Sequence, residues 1–148
     1  MMLRFTKGSG KLDTMEVVRE GTPTERIDCP KQRIIPHDMM HYAVEHTLQV
    51  RGFLGRVRDG EAAGFGMVSQ ADSDAVERLV EVFQGDEWSG GQSEAADLIA
   101  MYKVTCAARN CPMLPVSMAE ILAIRATISE LTRRWQAIAP GESLLLTL

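Results

Sequence analysis

The chain lacks any concentrated positive charge, any long apolar run and all but three cysteines, and each shortage closes off a class of protein. Sixteen Lys and Arg stand against 20 Asp and Glu, a net charge of −4, and no basic block gathers the cations. Nucleic-acid binding needs a clustered positive footprint, so nucleic acid is not an expected partner. No apolar stretch approaches the roughly 20 residues that span a bilayer, so a membrane is not expected either. The opening MMLRFTKGSG has neither an apolar core nor a cleavage site, and no signal peptide is expected there. Cys29, Cys106 and Cys111 form an odd set that fits a reducing compartment, and a cytoplasmic location is the expectation. Cys106 and Cys111 have no second pair and no nearby histidine, which argues against a structural zinc knuckle. All three read as small, partly buried thiols.

What is present fits one globular domain. At 148 residues the chain can bury a core, and its 45% hydrophobic and 24% charged content is that of an ordinary folded protein. Residues 2–7 and 11–20 alternate apolar and polar, with Leu3 and Phe5 in one arm and Met15 and Val17 in the other. That period of two predicts a hairpin, with Gly8-Ser9-Gly10 supplying the turn through positive φ. Glu25 to Cys29 is a third strand stopped by Pro30. From Pro36 the period becomes helical: one helix runs to about Val50 and ends at Gly52, followed by a short, helix-like piece. A second spans about 73–84 and stops at Gly85, and a third spans about 93–109 with Ser93 as its N-cap. In the third, Leu98, Met101, Tyr102 and Thr105 are expected to face inward. The fourth opens on the capping box Ser117-Met-Ala-Glu120 and carries Ile121, Ile124, Ile128, Leu131, Trp135 and Ile138 as its stripe. Pro140-Gly141 ends it, and Leu144, Leu146 and Leu148 alternate in a last strand. Since a lone strand is unstable, this one should pair with the N-terminal hairpin. The fold class is α+β: a small antiparallel sheet packed against about four helices.

One segment concentrates chemistry. All three histidines fall within residues 37–46, in the string Pro36-His37-Asp38-Met39-Met40-His41 followed by Glu45 and His46. On a helix, His37 and His41 stack one turn apart, about 6 Å along the axis. The pattern H-D-x-x-H is one methylene short of the H-E-x-x-H zinc motif. Read as chemistry, His37 and His41 ligate one divalent metal, zinc being the natural choice, and Asp38 acts as base toward a bound water. Glu45 lies too far along the axis to share the ion with His37, and suits a supporting hydrogen bond to His41. A third ligand must come from elsewhere, with Asp72, Asp74, Glu94 and Asp97 as candidates. Read as structure, Asp38 favours the helix dipole, His41 pairs with Glu45 and no metal binds.

Here the sequence resembles an uncharacterised bacterial family that carries P-H-D-x-x-H-x-x-V-E and then G-F-x-G. The residues concerned are I-P-H-D-M-M-H-Y-A-V-E and R-G-F-L-G, within about 34–55. The resemblance implies a bacterial origin, and that Pro36, His37, Asp38, His41 and Glu45 act as one element. It implies no activity, substrate or cofactor.

Other features carry less. The glycine-rich G-E-A-A-G-F-G at 60–66 lacks the Lys and Ser/Thr of a phosphate-binding loop, and the nine methionines read as core filling. The expectation is therefore a small cytoplasmic, non-catalytic module that binds a small ligand or a protein partner near the first helix. The alternative is a zinc-dependent hydrolase built on His37, His41 and Asp38.

Overall fold

The computed structural model describes residues 1–64 and 68–148. Strands β1 (Met2–Thr6) and β2 (Leu12–Val18) form the hairpin in the register Leu3 with Val17 and Phe5 with Met15. Their turn depends on Gly8 through crowding. A Cβ there would sit 1.9 Å from the Leu12 carbonyl oxygen. Neither Gly8 nor Gly10 takes positive φ, so the expected conformational reason gives way to a steric one. β3 (Glu25–Pro30) pairs antiparallel with β2. β4 (Ser143–Thr147) pairs antiparallel with β1, Leu144 opposite Phe5 and Leu146 opposite Leu3. The sheet order is β3-β2-β1-β4, so the strand from the far end of the sequence completes it, as expected. Leu3, Phe5, Met15, Val17, Leu144 and Leu146 are all buried. Each alternates with an exposed or half-buried neighbour, which leaves one apolar face to cover.

Among the described residues, five helices supply the cover: α1 (His37–Leu48), α2 (Phe53–Arg58), α3 (Ala71–Trp88), α4 (Ala95–Ala108) and α5 (Met118–Gln136). The chain is thus α+β, with α2 as a short fifth helix where the sequence suggested only a helix-like piece. α1 packs against both α3 and α5, and its residues join one core running from Leu3 to Leu146. Three boundaries differ from expectation. α1 ends at Leu48, because Gln49 takes the left-handed conformation (φ 54°) and the Val50 N–H returns to the Glu45 carbonyl at 3.2 Å. Gly52 instead sits at the N-cap position of α2. α3 runs through Gly85 for another turn, held by the Asp86–Arg125 ion pair at 2.7 Å and the Trp88 indole N–H on the Gln32 carbonyl at 2.8 Å. α4 starts at Ala95 with Glu94 at its N-cap position, one residue later than expected, and the Ser93 N–H is given to Asp86. Its buried positions are Ala95, Leu98, Tyr102 and Cys106. Met101, about 100° around the helix from Tyr102, is exposed instead.

α5 follows its sequence closely. The Ser117 side chain accepts the Glu120 N–H at 3.1 Å while Glu120 accepts the Ser117 N–H at 3.0 Å. Ile121, Ile124, Ile128, Leu131 and Trp135 are buried. Lys7, just past β1, lies over the Trp135 ring and donates to the Trp135 and Ile138 carbonyls at 2.6 and 2.9 Å. Sheet and helix are joined there by packing and by charge at the helix C-terminus.

Two outcomes follow from this architecture. Trp135→Ala should cost roughly 3–5 kcal/mol in denaturant unfolding, and a loss below about 1 kcal/mol would show that the stripe does not anchor α5. Removing Leu144 to Leu148 should leave insoluble or molten protein. A soluble chain that still unfolds cooperatively would make β4 dispensable.

Candidate metal centre

The site grows from a charge that has no access to water. Glu45, in the last turn of α1, has a side chain with no solvent exposure. An ion in that position needs a full set of donors. It finds them in the segment that follows α1. Oε1 accepts the Gly52 and Gly55 N–H groups, both at 2.8 Å, and Oε2 accepts the Leu54 N–H at 3.0 Å. These are N–H groups that the start of α2 would otherwise leave orphaned. The fourth donor is His41 Nδ1, at 3.1 Å from Oε2. Four donors fill what a carboxylate can accept.

This arrangement explains the first glycine of R-G-F-L-G. A Cβ on Gly52 would lie 2.6 Å from Val76 Cγ1 and 2.7 Å from the Glu45 carboxyl carbon. No other residue lets the backbone approach the acid so closely from one side and α3 from the other.

With Nδ1 fixed, His41 presents Nε2 toward α3, where Glu77 Oε2 lies 2.6 Å away. The other oxygen of Glu77 is 3.3 Å from His37 Nε2. His37 and His41 are edge to face, with ring centroids 4.9 Å apart, and Phe53 also meets His41 edge to face at 5.7 Å. One ligand atom each from His37, His41 and Glu77 falls within 4.8 Å of the others. About 3.3 Å separates ligand atoms in a zinc tetrahedron with bonds of 2.0–2.1 Å. The two His–Glu separations already match that scale or fall below it. His37 is half exposed and rests on Glu77, and its ring would have to swing inward to close the remaining edge. Beside Glu77 opens a cleft of about 230 Å³, bordered by Phe53, Ser73 and Asp74.

Electrostatically the buried ring is held as an imidazolium. Burial works against its charge, but the hydrogen bonds to Glu45 and Glu77, and the charges behind them, outweigh it and lift His41 from 6.5 to about 10. Burial pushes Glu77 the other way, upward, yet its bonds to His37 and His41 hold it well below the usual carboxylate range.

The structure therefore gathers His37, His41 and Glu45 as one assembly. Asp38 is placed elsewhere: its carboxylate accepts the Cys29 thiol at 3.5 Å, at the end of β3. His46 stacks on Tyr42 at the exposed side of α1. None of the four expected third ligands belongs to the cluster. Asp72 accepts its neighbour's N–H, Asp74 holds Ser69, Glu94 stands at the N-cap position of α4 and Asp97 borders a different groove. The third group is Glu77, which sequence reasoning passed over. Its signal was slight: it follows Val76, on the α3 stripe that faces α1.

Compared with protein-family models, with curated proteins and with solved structures, the chain matches none.

Two measurements probe this geometry. Gly52→Ala forces a methyl group between Glu45 and Val76, and should destabilise the protein by roughly 1–3 kcal/mol. An unchanged unfolding midpoint would mean the cradle is looser than described. The second is pH dependence in chelator-treated protein. The folded pKa of His41 is raised, so its contribution is fully present below 6.5 and is lost as pH climbs through about 10. Denaturant midpoints across that window should fall more steeply for the parent than for His41→Gln, and parallel curves would refute the assignment.

Proposed function

We propose that this protein binds one divalent first-row metal ion, zinc foremost, on His37 Nε2, His41 Nε2 and the Glu77 carboxylate. It is a small metal-dependent binding module, whose ion holds a Lewis-basic ligand in the adjoining cleft. One observation carries this reading: three groups of metal-ligating type converge from two helices, and the buried one is oriented by a carboxylate on its other nitrogen. Metal-binding histidines are held by that same carboxylate–imidazole pairing. Two imidazoles and a carboxylate suit zinc, and equally the harder divalent ions with open positions. The reading extends to a bacterial, cytoplasmic protein, supported by the motif resemblance and by three free thiols.

A hydrolytic role is the second reading, favoured by three protein ligands beside a cleft, the pattern of catalytic rather than structural zinc. Against it stands the engagement of Asp38 with Cys29, away from Glu77.

Metal analysis of protein purified without chelator decides the main point, and close to one equivalent of a divalent ion is expected. Calorimetric titration of stripped protein with zinc should give a single site, weakening as pH falls because His41 must release its Nε2 proton. His37→Ala, at a half-exposed position, should abolish binding without unfolding the chain. Glu45→Gln should weaken binding by roughly 10–100-fold. Absence of stoichiometric metal, together with no binding by the stripped protein, would overturn the proposal. Hydrolysis of a chromogenic ester or phosphate that needs the metal and is lost in Asp38→Asn would move the balance to the second reading.

A further inference from the structure

The two cysteines at the far end of α4 meet across a helix cap. The Cys111 N–H bonds to the Cys106 carbonyl at 2.9 Å, and the Asn110 N–H bonds to the Ala107 carbonyl at 3.3 Å. Asn110 between them is left-handed, with φ 51°. These are the paired 6→1 and 5→2 bonds of a Schellman cap, which folds the residue two past the helix end back onto the one three before it. Apolar side chains often touch at such a cap. In this chain both are thiols, and both are free.

We infer that Cys106 and Cys111 form a reversible dithiol–disulfide pair, oxidised by low-molecular-weight disulfides of the glutathione class. The cap folds residue 111 back against residue 106, and the Cys106 thiol lies within reach of the Cys111 thiol, which donates to the Pro112 carbonyl at 3.6 Å. Exposure sets the order of events. Cys111 is partly accessible, while Cys106 is 2% exposed. The Cys111 thiolate attacks one sulfur of the small disulfide, and one small thiol leaves with its electron pair and takes up a proton. Cys106, as thiolate, then attacks the Cys111 sulfur of the mixed disulfide, and the second small thiol leaves likewise. Two protein thiols are oxidised, and one small disulfide is reduced to two thiols. Burial, followed by the neighbouring Cys106 thiol, raises Cys111 above its ordinary range. Attack is therefore slow at neutral pH, as suits an equilibrium sensor of redox poise rather than a peroxide scavenger. Cys29 is not a partner: it is buried at the end of β3, with its thiol on Asp38.

The test uses the intact folded chain in glutathione buffers of graded ratio, quenched by acid and alkylated. Trypsin cleaves after Lys103, Arg109 and Arg125, so an internal disulfide links peptide 104–109 to peptide 110–125. Mass spectrometry should find that linked pair, two hydrogens lighter than the reduced peptides, with Cys29 alkylated throughout. The same titration in urea gives the unfolded reference. The folded chain should form the bond about tenfold more favourably or better. A persistent glutathione adduct on Cys111 without the linked pair, or equal constants in folded and unfolded protein, would overturn the inference. Metal content does not enter either readout, so the outcome is independent of the site on α1 and α3.

Discussion

The structure around α1 depends on the burial of one carboxylate. Removing an ion from water costs several kcal/mol even after relaxation, and only a complete set of donors offsets it. For Glu45 that set comes from the Gly52, Leu54 and Gly55 N–H groups and from His41. The consequences run both ways along the chain. The end of α1 is tied to the start of α2, whose first N–H groups gain a partner they would otherwise lack. Gly52 must stay a glycine, because α3 and the carboxylate press on it from both sides. His41 is held at Nδ1 by Glu45, and its second nitrogen points at Glu77.

That fixed ring sits where apolar and polar packing meet. Met39, Met40, Ala43 and Val44 of the same helix are fully buried in the core between sheet and helices. They hold the α1 backbone, and Glu45 holds the imidazole. A ligand on a rigid helix, locked by packing and by a hydrogen bond to its far side, is positioned more closely than one on a loop. His37 lies one turn earlier and half in solvent, so the site has a fixed half and an adjustable half.

What could be read from sequence was what neighbours decide. The hairpin alternation, the Ser117–Glu120 capping box and the Leu144–Leu146 strand are short-range patterns, and they appear at the expected places. The pairing of Glu45 with His41 was legible for the same reason, being one helical turn. Gly52, Gly85 and Met101 were misread because their surroundings come from elsewhere in the chain. Gly52 answers to Val76, Gly85 lies in a helix prolonged by Arg125 and Gln32, and Met101 lies off a stripe set by the buried Tyr102. Glu77 is the clearest case. No local rule separates it from Asp72, Asp74 or Glu81, and only the pairing of α1 with α3 singles it out.

The charge balance of the cluster bears on what it is built to hold. Glu45 and Glu77 bring two negative charges to a ring that, as an imidazolium, returns one positive. A surplus of negative charge is unfavourable where the dielectric is low. A proton on Nε2 answers only one of the two acids. A divalent cation in place of that proton cancels both, while His41 keeps its bond to Glu45 through Nδ1. The substitution needs no change in the buried half of the site. Only His37 and Glu77, the two partly exposed groups, have to move toward the ion. Under the proposed reading, a proton and a metal ion would compete for that one nitrogen, and the bond from Glu45 to Nδ1 would serve either state.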